Sequence, residues 1–305
     1  RKIRKEGAEL HKKGFLVGEG PAMVQVTREF VHHCLPVRKR DGHKGTFGKV
    51  HILAGSVGLT GAAALTAAAA VRTGSGLVSL SVPPEIWPVL AVKCQEAMPA
   101  PVARFEILLE NMNQCNGVLI GPGLGRSRKT DVRTCHLGEQ LQTPLVLDAD
   151  GINAVAEHID VLDTRRGRLT VLTPHDGEFL RLRQGKAIGP DREAAALAFA
   201  RQHGCVLVLK GHRTITAFPD GETFETTTGN PGMAKGGSGD VLAGMILSLL
   251  GQGIPPKKAG PSAVWLHGAA GDLAAASFGE YGMTPSDLLQ NIPAAIQGAM
   301  SFPVD

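Results

Sequence analysis

Aromatic side chains are scarce in this 305-residue chain, at 4%, with one Tyr and two Trp. Helices with so few rings to bury must approach one another through small side chains, and Ala and Gly are abundant, glycine alone numbering 39. Cysteine is also sparse. Cys34, Cys94, Cys115, Cys135 and Cys205 are scattered, odd in number and free of C-x-x-C spacing. Neither a disulfide framework nor a zinc site is indicated, and a reducing compartment fits best. No long apolar run exists: the Ala-rich stretch from Ala62 to Val71 is stopped by Arg72 and is too short to cross a bilayer. With no secretory signal, the expected setting is cytoplasmic and no membrane partner is expected. The chain does not begin with Met, as expected of a processed form or a piece of a longer polypeptide. Internal repeats are absent.

A strong overall charge is missing too, since the net value is +4. Residues 1–45 hold 11 Lys and Arg against 5 Asp and Glu, out of totals of 32 and 28, so the remainder is slightly acidic. The basic residues are Arg1, Lys2, Arg4, Lys5, Lys12, Lys13 and the Arg38-Lys39-Arg40 run. A nucleic-acid-binding arm is one reading of such a segment. No RNA- or DNA-binding motif accompanies it, so a solvated tail or linker is the preferred reading and no nucleic-acid partner is expected.

What is present describes an ordinary soluble globular protein, 43% apolar and 20% charged. The length suits one large α/β domain, though it also allows two. From Lys49 onward short apolar runs alternate with helical patterns. Val50 to Ala54, Leu77 to Val82, Gly117 to Ile120, Pro144 to Leu147, Leu169 to Leu172 and Cys205 to Leu209 read as strands. Thr60 is placed to cap a helix through Arg72. Continuous apolar strands separated by helices predict a parallel sheet covered on both faces. Pro219-Asp220-Gly221 between two β-prone runs predicts a hairpin. Three helices, near 237–250, 257–278 and 286–299, complete the chain.

The chemistry collects at strand ends and around Gly229 to Gly244, where five glycines fall between 229 and 239 ahead of Asp240 and an apolar run, Val241 to Leu250. A glycine-rich turn opening onto a helix presents free N–H groups at the positive end of the dipole, a site for a phosphate or a developing oxyanion. An acid in that turn makes sense if it accepts a substrate proton while the N–H groups hold the phosphate being attacked. The plain alternative is an N-cap Asp after a flexible loop. Gly121-Pro122-Gly123-Leu124-Gly125 permits close approach of a ligand, or is simply a tight strand-to-helix turn; its spacing departs from the dinucleotide fingerprint. Thr173 to Phe179 sets His175 and Glu178 on one face of a first helical turn. His175 suits donation to a ligand, and Glu178 suits a Mg²⁺ ion reached through water, or merely the helix N-terminus. Asp148, Asp150 and Asn153 form an oxygen-rich cluster that either serves a metal or substrate or caps the helix near 151. Lys210-Gly211-His212-Arg213-Thr214 suits nucleotide phosphates or ribose, or is an ordinary snorkelling lysine at a strand end.

Together these segments resemble the ADP/ATP-dependent NAD(P)H-hydrate dehydratases, of ribokinase-like fold. The matching motifs run in order through His43 to Gly48, Ala54-Gly55-Ser56, Thr60-Gly61-Ala62, Gly121 to Gly125, Leu147 to Asp150, Thr173 to Glu178, Lys210 to Thr214 and Asn230 to Gly244. The resemblance implies dehydration of the S epimer of hydrated NADH or NADPH at the expense of a nucleotide, with Mg²⁺. It implies Asp240 as the base; Ala62, Gly123, His175 and Asp240 on the hydrated dinucleotide; and Lys210, Gly211, His212, Arg213, Thr214 and Gly239 on the nucleotide. Glu178 is the expected metal residue. Eukaryotic ATP-using members carry Asn where this chain has His175, which leans the expectation toward ADP. A homo-oligomer is expected. The alternative is a small-molecule kinase of the same fold acting on a vitamin-precursor alcohol. Residues 1–26 are read as a basic extension or linker and 27–305 as the dehydratase domain. Many bacterial members carry an epimerase domain ahead of this one, of which such a segment would be a remnant. Gly151 stands where the family usually has Ala, a change expected to loosen the helix start by up to about 1 kcal/mol.

Overall fold

The computed structural model describes residues 22–301. Its strands are β1 Val24–Gln25, β2 Lys49–Leu53, β3 Leu77–Val82, β4 Met98–Pro101, β5 Gly117–Ile120, β6 Leu145–Leu147, β7 Thr170–Leu172, β8 Val206–Leu209, β9 Thr214–Ala217 and β10 Thr223–Thr226. The helices are α1 Arg28–Cys34, α2 Thr60–Arg72, α3 Trp87–Lys93, α4 Phe105–Asn113, α5 Arg128–Gln140, α6 Asp150–Glu157, α7 Asp160–Thr164, α8 Asp176–Leu182, α9 Arg192–His203, α10 Ser238–Gly251, α11 Pro256–Gly282 and α12 Pro285–Met300.

All ten strands form one sheet in the order β1-β10-β9-β8-β7-β6-β5-β2-β3-β4. From β8 across to β4 every neighbouring pair is parallel. The expected hairpin is β9–β10, antiparallel within itself and antiparallel to β8. β1 adds to β10 in parallel, so sheet pairing begins at Val24, ahead of the boundary expected at residue 27. The rest of the expected basic extension, residues 1–21, lies outside the described residues.

The apolar strands divide their side chains by the two-residue period of an extended chain. Ile52, Leu119, Val146, Val171 and Val208 face a core built with α2, α10, α11 and α12. Leu53, Ile120, Leu147, Leu172 and Leu209 face a second core built with α5, α6, α8 and α9. Each run is continuous because both faces are covered. The scarcity of rings shows where α2 lies along α10: a Cβ on Gly244 would stand 2.3 Å from the Thr66 carbonyl oxygen and 2.9 Å from Ala69 Cβ. No helix among the described residues is long and apolar enough to cross a membrane.

One local expectation is corrected and another gains a structural context. Thr60 is the first helical residue rather than the cap, which is Leu59 with no side-chain hydrogen bond; the Thr60 hydroxyl instead accepts from Lys93 Nζ at 3.2 Å. Gly151 has a packing reason. A Cβ there would stand 2.3 Å from the Ile120 carbonyl oxygen, so its absence lets α6 start directly against β5.

Arg165, 1% exposed, ties α7 to the second core without a carboxylate partner among the described residues. Its guanidinium donates to the carbonyls of Gly138 and Leu141 at 2.8 Å each, to those of Thr143 and Leu169, and to Thr170 Oγ1 at 2.7 Å. The Gly138 and Leu141 carbonyls belong to the negative end of α5 and its cap, which supplies the missing counter-charge. Burial, then Arg168, lowers its pKa to about 10, which leaves it charged at neutral pH. Arg165→Met orphans several buried carbonyls and is expected to destabilise the protein by about 3 kcal/mol. The measurement is the urea midpoint at constant m-value; an unchanged midpoint refutes the assignment.

Candidate active site

Three neighbouring parallel strands each deliver the residue just past their carboxyl end. After β6 comes Asp148, after β7 Thr173, and after β8 Lys210. Asp148 is 1% exposed, and its Oδ1 accepts from Lys210 Nζ at 3.0 Å and from Thr173 Oγ1 at 2.8 Å. Lys210 Nζ also stands 3.8 Å from Glu178 Oε2. Burial alone would lower the Lys210 pKa, but Asp148 and Glu178 outweigh it and raise it, so the ammonium persists. This lysine does not reach outward, as the snorkelling reading expected; it turns into a cage of carboxylates.

Asp240 completes the cluster from the first turn of α10. The turn is entered through Gly237 at φ 106°, and a Cβ on Gly239 would lie 3.2 Å from Lys210 Nζ. The glycine turn therefore allows the α10 backbone to come up against the lysine. The Asp240 pKa is raised to about 7, first by burial and then by the Asp148 carboxylate, with Lys210 opposing and Asp150 and Glu178 adding. A carboxyl group poised near neutrality is suited to taking a proton from a hydroxyl. Beside it, the N–H groups of Gly239 and Asp240 have no backbone or side-chain acceptor among the described residues, while Ser238 N is bonded to Lys235 O at 3.2 Å. Such N–H groups at the positive end of a 14-residue helix receive anions. The preceding loop is braced by Asp272, whose carboxylate accepts from Gly229 N and Asn230 Nδ2, both at 3.0 Å.

His175 is the N-cap of α8. Its Nδ1 accepts from Gly177 N at 3.0 Å and Glu178 N at 3.4 Å, and Glu178 Oε2 accepts from His175 N at 2.9 Å. This is a capping box with an imidazole in the place of the usual hydroxyl. Because Nδ1 is an acceptor, neutral His175 carries its proton on Nε2, and its side chain is exposed enough to donate to a ligand. The structural reading of Glu178 also holds: both of its oxygens face partners, with Oε1 at 3.5 Å from His175 Nε2. Among the described residues no group of three or more His, Cys, Asp or Glu forms a metal cage. The donor set fits a Mg²⁺ that arrives on phosphate oxygens and needs only one or two protein carboxylates.

Ala62 and Gly123 are brought together where the strand order reverses, between β2 and β5. Gly123 has φ 62°, and a Cβ there would stand 2.8 Å from Ala62 Cβ. The loops are locked by Gly55 N to Pro122 O at 2.8 Å and Ser56 Oγ to Gly123 O at 2.9 Å. A crevice at such a switch point is where open α/β sheets bind ligands. The oxygen-rich cluster splits: Asp148 joins Lys210, whereas Asp150 Oδ2 accepts from Gly125 N at 2.9 Å and Oδ1 from Asn153 Nδ2 at 3.3 Å. Neither caps α6, whose N-cap is Ala149 with no side-chain bond.

In the 210–214 segment, Thr214 Oγ1 donates to Gly211 O at 3.0 Å and closes a turn, and His212 is exposed. Arg213 points elsewhere: its guanidinium pairs with Glu225 Oε2 at 2.6 Å, on β10. Sequence reasoning passed over Arg192, which joins Asp176 Oδ1 at 2.5 Å to the Lys210 carbonyl at 3.1 Å. It also passed over His267 and Asp272, and no local spacing marks either.

The chain matches the family model described as NAD(P)H-hydrate dehydratase over residues 50–294. It is 37% identical over 278 residues to the ADP-dependent (S)-NAD(P)H-hydrate dehydratase of Neisseria meningitidis, covering 87% of this chain and 90% of that one. It is 43% identical over 275 residues to the bifunctional NAD(P)H-hydrate repair enzyme Nnr of Moorella thermoacetica, covering 86% of this chain and 52% of that one. The chain thus spans about half the length of the bifunctional relatives it matches. Among solved structures, the ADP/ATP-dependent NAD(P)H-hydrate dehydratase of Bacillus subtilis, co-crystallised with ATP and Mg²⁺, superposes with a TM-score of 0.77 at 30% identity, over 90% of this chain and 98% of that one. A ribokinase-like superfamily protein of Enterococcus faecalis gives 0.80 at 30% identity, over 91% and 96% of the two chains. The fold is ribokinase-like, and by its sequence and its architecture the chain belongs to the NAD(P)H-hydrate dehydratase family.

Proposed function

We propose that the protein dehydrates the S epimer of NADHX or NADPHX back to NADH or NADPH, consuming ADP or ATP. The observation that carries this reading is the Asp240 carboxyl, poised near pH 7 beside free helix N–H groups and the Lys210 ammonium. Hydroxide leaves poorly and phosphate leaves well. Asp240 takes the proton of the ring hydroxyl as its oxygen bonds to the terminal phosphorus of the nucleotide, and the bond from phosphorus to the departing nucleotide breaks. The N–H groups of Gly239 and Asp240 hold the charge of the transferring group. The ring-nitrogen lone pair then expels phosphate, and loss of a proton from the adjacent carbon restores the double bond.

Ala62, Gly123 and His175 would line the hydrated dinucleotide, with His175 Nε2–H as donor. Lys210, Gly211, Thr214 and Gly239 would face the nucleotide, with His212 and Arg213 at its outer edge. Bound Mg²⁺ would neutralise phosphate charge, and Glu178 would be the carboxylate that holds it. His175 favours ADP over ATP as the donor, and a cytoplasmic homo-oligomer built from a domain that includes the strand at Val24 is part of the same reading.

The test follows absorbance at 340 nm with hydrated NADH, Mg²⁺ and either nucleotide. A nucleotide-dependent rise is expected, faster with ADP. No rise with either nucleotide on folded protein would move the assignment to a small-molecule kinase with a stable phosphorylated product.

A further inference from the structure

His267 lies on α11, well away from the motifs that mark the site, and is 9% exposed. Its Nε2 stands 2.8 Å from the Ser238 carbonyl oxygen. A carbonyl only accepts, so Nε2 bears the proton. Burial pushes the His267 pKa down to about 4, the Lys210 charge adding to the effect against the Ser238 bond, so the ring is a neutral donor near pH 7.

The carbonyl it holds belongs to the same peptide unit as the Gly239 N–H. That N–H has no acceptor among the described residues, and its residue abuts the lysine, a Cβ on Gly239 lying 3.2 Å from Lys210 Nζ. Donation to the oxygen of a peptide draws electron density across the unit and makes its N–H a stronger donor. It also adds a tertiary restraint to a peptide in the first turn of α10, just after Gly237 at φ 106°.

The geometry points to His267 as a positioning residue of the reaction: through Nε2–H on the Ser238 carbonyl it aims and polarises the Gly239 N–H toward the transferring phosphoryl group. This deepens the proposed function and rests on it for the identity of the anion. The hydrogen bond stabilises charge that develops during transfer more than charge already present in the ground state, so its loss falls on kcat rather than on KM.

The test compares His267→Leu, which removes the donor, with His267→Gln, whose amide reaches the position of Nε2. In the full chain, H267L is expected to lower kcat about 10-fold with both KM values changed by less than about twofold. H267Q is expected to recover most of that loss. Independently of turnover, the Gly239 amide nitrogen resonance should move upfield in H267L and return in H267Q, and the wild-type imidazole should show the Nε2–H tautomer at pH 7. Equal losses in the two variants, a change in KM alone, an unmoved Gly239 resonance or an Nδ1–H tautomer each overturn the proposal. Should H267L fail to fold, H267Q and the tautomer decide it. A wild-type protein that does not dehydrate the hydrate defeats the proposed function instead, and the resonance and tautomer still test the hydrogen bond.

Discussion

Asp240→Asn is expected to lower turnover by roughly 10²–10⁴-fold while making the protein more stable near neutral pH. The loss follows from removing the carboxyl group at the glycine turn that takes the hydroxyl proton. The gain follows from linkage. The folded pKa is about 7 and the ordinary value is 3.8, the rise coming first from burial and then from Asp148. Below 3.8 the carboxyl is protonated in both states. Between 3.8 and 7 the unfolded chain ionises while the folded one keeps its proton, so folding stability falls as pH rises, and above 7 the full penalty is present. Asn carries no such penalty, and D240N should gain about 2 kcal/mol at pH 8 after allowing for the solvent that reaches a half-buried group. In the wild type, kcat/KM should climb with pH to a plateau above about 7, and that limb should vanish in the variant. Wild-type turnover in D240N, or a limb near pH 7 that survives the substitution, would remove Asp240 from the mechanism.

Lys210→Met carries the other large effect, because one ammonium serves three carboxylates. Asp148 lies 3.0 Å from it, Glu178 lies 3.8 Å from it, and its charge holds down the Asp240 pKa. Removing it leaves Asp148 and Glu178 buried without their cation, a loss of about 2–4 kcal/mol in the urea midpoint. Turnover at pH 7 should fall by at least about 10²-fold, since both the cation facing the phosphates and the ionised fraction of Asp240 decline. The acidic limb should move to higher pH, a shift that simple loss of packing does not produce. K210R, which keeps the charge, should move the limb little. An unmoved limb in K210M would mean that the lysine does not set the base.

Much of this was legible in the residues because it is local. Val50 to Leu53 and Val206 to Leu209 are unbroken apolar runs, and such runs arise where both faces of a strand are covered. Pro219-Asp220-Gly221 specifies its hairpin through turn chemistry. The misses have equally local causes. Met98–Pro101 hides as a strand because its two prolines break the pattern, and they are tolerated because β4 is the last strand at the sheet edge. Arg28–Cys34 is too short for a periodic signal to stand out from a charged stretch, yet Val31 is fully buried in the first core. His175 escaped recognition as a cap because the expected cap residues carry hydroxyl, carboxylate or amide oxygens, whereas here a ring nitrogen accepts the two N–H groups.

The site divides along the same line. By itself the sequence determined which strand ends carry polar residues, which turns are glycine-rich and which helix Asp240 opens, because periodicity and turn preference act over a few residues. Tertiary structure alone decided that Lys210 faces inward to Asp148, that Arg213 leaves for Glu225, that His267 reaches the Ser238 carbonyl, and that the Asp240 carboxyl sits near neutrality. A side chain's direction and charge state depend on burial and on partners from distant segments, here positions 148, 178 and 210 around Asp240. No pattern along the chain records those distances.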